Sequence, residues 1–546
     1  MAERTLVERL RSTRDGHAER IEAERLYLDA YAGTGGFQGR AHLPTSSFWG
    51  WAADAYSSQP ETRLDQRYDR DTYLDRHPRE DAKKFERRRQ VVHYENHVAA
   101  CVDIPLSYLR RKPLTRTGVS PAVDAWMTDA DGCETTWHDL LMSTILLRGA
   151  VTGACPVFFD MPPAVAPEGG ERTRAQDLAE GRTVRAIPLF GCNVLDWAED
   201  DRGRFSWAKI AWERRLQPDA LGEAVCETEV RILYPDRIEL YRIRKDAEGR
   251  EQATGPETYA NPFGEVPLVV FRPKKLGDDP VHGIALVHDI ASEARRLFNL
   301  HSELDEHIRG SVFAFLQYPT KGGKEKGEIT IGAGSALAID PESKIPFAWI
   351  APPESVAKTL EERITKTIGA IYAMARLAFS QGQAVTAAAS GLSRAYEFES
   401  TNRAIADTAL TLASFDQAAL DLVAHLVDPA YETNDEEIRT TAAKSFDVEE
   451  LDKELATLET AARNRLGPTT MAELRKRTAR QLLPNITKDL ETRIDEEIDA
   501  LAGTEATALV QGDAFGSDPG PGKGDATDTA VDTKADTATP AASASA

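Results

Sequence analysis

Apolar side chains return every three or four residues at Ile284, Val287, Ile290, Ala294, Leu297, Leu304 and Ile308, with His301 filling the one gap in the series. That is the period of a single helix face, so a helix is expected over about 284–309, closed by Gly310. After Pro352 and Pro353 the same period recurs at Val356, Leu360, Ile364, Ile368, Ile371 and Ala375, which predicts a second helix over about 354–379. At 1.5 Å per residue each is roughly 39 Å long. Between them, FAFLQYP, EITIG, SALAID and PFAWI read as short strands, separated by Gly322, Gly323, Gly327 and Gly332. The pattern is a small β module carried on two long helices.

The flanking pattern is more varied. Residues 2–32 place Leu6, Leu10, Ile21, Leu26, Leu28 and Tyr31 among many charges and predict a surface helix, ended by Gly33, Gly35 and Gly36. Residues 37–90, with RLDQRYDRDTYLDRHPREDAKKFERRR, offer no sustained apolar face and predict loops and an exposed helix. Val98, Cys101, Val102, Leu106 and Leu109 fit a helix over 93–109 that Pro105 bends or ends, and a second helical region is expected over 126–147. From 155 to 271 the texture changes to PVFFD, VRAIPLF, WAKIAW, EVRILY, RIELYRI and VPLVVF, the mark of a mainly antiparallel sheet.

Beyond the second long helix, residues 377–393 (LAFSQGQAVTAAASGLS) hold no charge in a chain that is 28 % charged. A long helix is predicted over 393–427, ended by Pro429, and further helices over 447–463, 469–481 and 487–502, with Gly467 and Pro468 as stop and restart. Beyond Gly512 the composition is too poor in large apolar residues to bury a core, and disorder is expected.

Composition changes this picture in three ways. With 66 basic and 88 acidic residues the net charge is −22, so any contact with DNA phosphates must be local or weak. The five cysteines, Cys101, Cys133, Cys155, Cys192 and Cys226, are widely spaced with no C-x-x-C pair, which suggests buried free thiols in place of a disulfide framework or zinc ribbon. The charged amino-terminal stretch has no apolar signal core, and the most apolar run, 140–159, is broken by Arg148, Gly149, Gly153 and Pro156, so a cytoplasmic origin and no membrane partner are expected.

Enzyme motifs are weak. His93 and His97 have the i, i+4 spacing that binds zinc on a helix, but Tyr94 stands where a metalloprotease needs Glu. PGPGKGD lacks the Ser or Thr of a phosphate loop, and GAGSALA lacks the glycines of a nucleophile elbow. Acidic groups such as Asp278 with Asp279, or Asp435 to Glu437, fit solvated loops or helix starts. No catalytic residue, metal or cofactor is assigned.

The order of elements resembles the portal proteins of tailed bacteriophages, the head-to-tail connectors. VVHYENHVAACVDIPLSYLRRKPLTR and the β-like region look like the portal wing, VHDIASEARRLFNLHSELDEHI and ESVAKTLEERITKTIGAIYAMARLAF like its two stem helices, and FAFLQYP through FAWIAPP like the clip. SQGQAVTAAASGLSRAYE looks like the tunnel loop with the start of its helix, and LDKELATLETAARNRLGPTTMAELRKRTARQLLPNITKDLETRIDEEI like the crown. The resemblance covers roughly residues 90–502. It implies an α+β, mainly helical fold with an amino-terminal charged region (1–90), wing (91–283), first stem helix (284–310), clip (311–352), second stem helix (353–379), tunnel loop (380–396), long wing helix (397–430), crown (431–505) and tail (506–546).

Its functional implication is a ring-shaped homo-oligomer, usually a dodecamer, at one capsid vertex of the virion. Double-stranded DNA would pass through it weakly held, and terminase large subunit, head-tail adaptor, capsid and scaffold proteins would dock on it. Gln381, Gly382, Gln383, Thr386, Ala387, Ala388 and Ser390 would then line the constriction. Lys321, Lys324 and Lys326 would touch DNA or terminase, or else be a solvated loop. Arg295, Arg296, Lys358, Arg363 and Lys366 would face the channel or pair with Glu residues at helical spacing, pairing being expected for at least half. Another phage head-tail structural protein and a metal-dependent hydrolase built on His93 and His97 remain as alternatives.

Overall fold

The computed structural model describes residues 5–37, 72–162, 182–216, 220, 225–246, 248–312, 315–319, 336–339, 348–350, 353–377, 391–428, 431, 437–443, 446, 451–464, 466–482 and 488–511. The chain forms two units, Met1–Phe446 and Asp447–Ala546. Among the described residues, the first mixes helices with four sheets.

Its amino terminus departs from the expected single surface helix. Helices α1 (Leu6–Arg11) and α2 (His17–Ala32) are separated by a turn at Gly16, whose φ of 78° suits glycine. The break turns Arg14 onto the sheet: its amide donates to the Leu195 carbonyl at 2.9 Å, and its guanidinium donates to the Trp197 carbonyl and lies 4.4 Å from the Trp197 ring centroid. Leu10 and Ile21 are buried against Cys192, Leu195, Ala211, Val230 and Ile243. The segment is a docked arm because alternate charged residues left enough apolar positions for one covered face.

Helix α3 (Ala82–Val91), capped by Asp81, buries only Phe85. Helix α4 (His97–Arg111) begins four residues later than the apolar pattern predicted, because the Asn96 side chain accepts from the Ala99 amide and sets the start. It runs through Pro105 to Arg111, its face of Val98, Cys101, Val102, Leu106 and Leu109 buried on both sides of the proline. The expected helical region 126–147 is interrupted: α5 (Pro121–Met127) is followed by a turn, then α6 (Trp137–Asp139), a π-helical turn (Leu140–Ile145) and α7 (Leu146–Thr152).

Strand β1 (Thr115–Thr117) precedes α5, and β2 (Cys155–Asp160) follows α7. β2 lies antiparallel between β3 (Arg185–Pro188) and β9 (Leu268–Phe271). A five-stranded antiparallel meander is formed by β4 (Val194–Glu199), β5 (Phe205–Leu216), β6 (Val225–Leu233), β7 (Arg237–Lys245) and β8 (Glu251–Ala260), the antiparallel sheet that the alternating runs predict. At the end of α7 two backbones meet, where a Cβ on Gly153 would lie 2.7 Å from the Gly283 carbonyl oxygen and one on Gly283 2.5 Å from that of Gly153. Only glycine permits this crossing, which aims the chain into the next helix.

That helix, α8 (His288–Val312), has 25 residues, and its partner α9 (Glu354–Met374) has 21, so they are roughly 37 and 31 Å long and less matched than the sequence suggests. Residues 284–287 are not helical, although Val287 is buried. Between the two helices lies a three-stranded sheet in which β10 (Phe315–Pro319) pairs in parallel with β11 (Ala336–Ile339) and antiparallel with β12 (Ala348–Ile350). Helix α10 (Gly391–Val427) has 37 residues and absorbs positions 391–396 of the expected loop. β13 (Arg439–Thr441) returns to pair with β1.

Of the cysteines, Cys101, Cys155 and Cys192 are buried and Cys133 and Cys226 are exposed, all five free, so the expectation of buried thiols holds for three. The second unit has α11 (Leu451–Arg463), α12 (Pro468–Leu482) and α13 (Lys488–Gln511), close to the predicted segments, with Lys476 paired to Asp499 at 2.6 Å.

Helix α10 is apolar and long enough over Thr401–Val427 to cross a membrane by composition, but half of its most apolar window is buried and it carries Asp416 at the centre of a core. The fully buried Asp416 carboxylate accepts two bonds from Arg116 at 2.8 Å, one from Trp137 Nε1 at 2.7 Å and one from the Thr440 hydroxyl at 2.9 Å. Asp416→Ala is expected to lower stability by about 3–5 kcal/mol, because it strands a half-buried guanidinium and two donors; urea unfolding measures this.

A second buried carboxyl, Glu24 on α2, contacts the Cys192 amide at 3.4 Å, and a Cβ on Gly191 would lie 2.7 Å from its Oε1 and 3.5 Å from His282 Nδ1. Burial pushes Glu24 up to about 7, and burial together with Arg20 holds His17 down at about 4 and His282 at about 3. Glu24 therefore keeps its proton in the fold where the unfolded chain has lost it, and its contribution to stability declines as pH rises from 4.5 to 7. Glu24→Gln should remove a decline on the order of 3 kcal/mol over that window, read as a divergence of the two proteins' stability-versus-pH curves.

Candidate functional site

The paired helices α8 and α9 are the feature to which the sequence reading attached function, and each is held at one end only. On α8 the buried side chains are Ile290, Ala291, Ala294, Leu297, Phe298, Asn299, Leu300 and Ser302, all in the first two thirds. On α9 they are Ile364, Thr367, Ile368 and Ile371, all from the midpoint onward. The outer portions leave Ile308 45 %, Val312 65 % and Val356 43 % exposed. Between them lies an open cleft of about 310 Å³ lined by Leu300, Glu303, Ser355, Val356, Thr359, Leu360 and Arg363.

The held portions are anchored by aromatic and polar contacts. Phe298 meets the Phe37 ring edge-on at 5.4 Å, and Phe37 stacks on Tyr94 at 4.1 Å. The Asn299 amide side chain accepts from the Asp75 backbone at 2.7 Å and donates to the Tyr73 carbonyl at 3.1 Å. Asp75 also pairs with Arg295 at 2.9 Å. On the other side, His97 Nδ1 at the start of α4 lies 3.2 Å from the Tyr372 hydroxyl of α9, and Glu95, just ahead of the cap, reaches α8. The two oxygens of Glu95 lie 3.4 Å from His97 Nε2 and 3.3 Å from His301 Nε2 of α8. Burial pulls His301 down from its ordinary value against the opposing pull of Glu95.

The zinc spacing of His93 and His97 is not realised on a helix, since α4 starts at His97 and His93 precedes its cap. Among the described residues no group of three or more His, Cys, Asp or Glu is arranged to hold a metal ion. The sequence pattern missed Glu95 and His301 as neighbours because they are 206 positions apart and belong to different elements.

The candidate cations divide. Arg295 pairs with Asp75, and Arg296 with Glu293 at 3.4 Å. Lys358, Arg363 and Lys366 are exposed and pair with no carboxylate among the described residues, so pairing falls short of the half expected. Their neighbours Glu354, Glu361 and Glu362 are exposed as well, and no ion pair forms at helical spacing there. Lys321, Lys324 and Lys326 lie outside the described residues, as do Gln381, Gly382, Gln383, Thr386, Ala387, Ala388 and Ser390.

No protein-family model matches this sequence, and no curated protein is similar to it.

Replacing Lys358, Arg363 and Lys366 with Gln is expected to change stability by less than about 0.5 kcal/mol each, because no buried partner is left behind. Chemical unfolding of the three single variants tests it, and a loss several times larger would reveal a partner for the residue concerned.

Proposed function

We propose that this chain is the portal protein of a tailed bacteriophage, a ring-forming subunit of the channel through which DNA enters and leaves the capsid. The observation that carries the reading is the succession of an α+β region, a 25-residue helix, a small sheet, a second long helix packed on the first, and a 37-residue helix returning into the α+β core. In that reading α8 and α9 are the stem, β10–β12 the clip, and α10 the long wing helix. The tunnel loop of that reading, residues 380–396, falls for its greater part outside the described residues.

The surface chemistry supports it. A monomer that exposes Ile308, Val312 and Val356 on its outer stem leaves apolar area in water that a neighbouring copy would cover. The net charge of −22 and the neutral loop suit a channel that must let phosphates slide, since every well-made cationic contact would have to be broken at each step. Terminase large subunit, a head-tail adaptor, capsid and scaffold proteins are the corresponding partners, and the virion vertex the corresponding location.

Light scattering of the purified chain at moderate salt should give a mass many times that of one copy, and electron microscopy should show rings. Ile308→Asp combined with Val312→Asp should yield monomers with an unchanged thermal transition, because both side chains are exposed within the subunit. A wild-type chain that stays monomeric at every salt concentration would remove the reading.

A further inference from the structure

The strongest local departure from the acidic character of this protein is the segment from Arg76 to Arg89. It holds Arg76, Arg79, Lys83, Lys84, Arg87, Arg88 and Arg89 against Glu80, Asp81 and Glu86, a net of four positive charges. Most of it is helix α3, pinned by Phe85 on one side. On a helix with 100° per residue, Lys83, Arg87 and Gln90 lie opposite Phe85 and point away from the core. All three are exposed, as is Arg79 in the preceding turn.

Every carboxylate of the segment is engaged in holding its shape. Glu80 takes Arg88 at 2.8 Å with both side chains largely buried, Asp81 caps the helix by accepting from the Lys83 and Lys84 amides, and Glu86 faces Arg89 and Gln90. The helix is fixed to α8 through Arg88 Nε on the Ser302 hydroxyl at 3.1 Å and through Lys84 with Glu306 at 3.6 Å. Arg79, Lys83 and Arg87 are left with no carboxylate partner among the described residues. The face centred on Lys83 and Arg87 carries no aromatic side chain, and its one apolar side chain, Val91, stands at the last residue of the helix, on the edge of the face.

We propose that the outward face of α3, with Arg79, Lys83 and Arg87, is a contact surface for the phosphate backbone of double-stranded DNA. The chemistry selects the partner. A protein interface needs apolar or aromatic anchors at its centre, and single-stranded nucleic acid needs stacking platforms, neither of which this face has. Contact with duplex phosphates needs only cations, amides and a rigid mount, and it carries no sequence preference. The surface does not depend on the ring reading, since it lies on one subunit. With three such contacts, binding should weaken about 40-fold between about 50 and 200 mM salt, from a slope of about 0.9 per phosphate neutralised.

The test uses the full chain and a short fluorescent DNA duplex of mixed sequence, titrated at several salt concentrations. The triple variant Arg79→Glu, Lys83→Glu, Arg87→Glu should abolish most of the binding and flatten the salt dependence. The control Lys274→Glu, Lys275→Glu changes two exposed lysines elsewhere and should bind as wild type. Thermal unfolding should be the same in all three proteins, which separates loss of the surface from loss of the fold. Absence of duplex binding at low salt, equal losses in the triple variant and the control, or tighter binding of polyglutamate than of DNA would each overturn the proposal. Light scattering on the same samples reports the oligomeric state separately, so failure of the ring reading and failure of this one are distinguishable.

Discussion

The buried carboxylate of Asp416 holds together parts of the chain that sequence distance would otherwise keep apart. One side chain joins the 37-residue helix to the β1 strand through Arg116, to the start of α6 through Trp137, and to the closing strand β13 through Thr440. A carboxylate without water is tolerated only when its lone pairs are occupied, and four donors occupy them here. The same bonds fix which turn of α10 faces the α+β core. The packing of Phe415 between Trp137 and Phe271 follows from that registration, with ring centroids 6.2 and 5.8 Å away.

Elements with a repeating apolar period were legible in the sequence, and those fixed by a single polar contact were not. The face of Ile290, Ala294 and Leu297 locates α8 to within about a turn, and that of Ile364, Ile368 and Ile371 locates the start of α9, which ends five residues before the expected boundary. Strand alternation gave the antiparallel meander. The composition of the amino-terminal stretch predicts one continuous helix, since nothing in it announces that Arg14 will leave for the Trp197 ring. Helix α4 was started too early because Val92 and His93 extend the polar-apolar rhythm while the Asn96 cap decides the boundary. Asp416 has a faint signature, a charge in an otherwise apolar run, but its partners lie up to 300 residues away. The loop and clip lysines that the resemblance singled out lie outside the described residues.

Charge is distributed in this molecule by function of place more than by average. The meander uses acids and bases against each other: Arg231 sits between Asp160 and Glu229, each at 2.7 Å, and lies over the Phe158 and Trp212 rings. Around Glu24, by contrast, burial disfavours charge, raising the carboxyl and leaving two imidazoles neutral near pH 7 beside the Arg20–Asp279 pair. The outer surfaces of α3 and α9 form a third case, with cations that neither burial nor a neighbour has answered. A net count of −22 conceals all three.

The one-ended attachment of α8 makes it a cantilever. Its root, up to Glu306, is clamped by Phe298, Asn299 and the Arg88 and Lys84 contacts, while the six residues from His307 to Val312 extend about 9 Å beyond the clamp. A sideways load at the tip is therefore felt as torque at the root, where the rings of Phe37, Tyr94 and Phe298 meet.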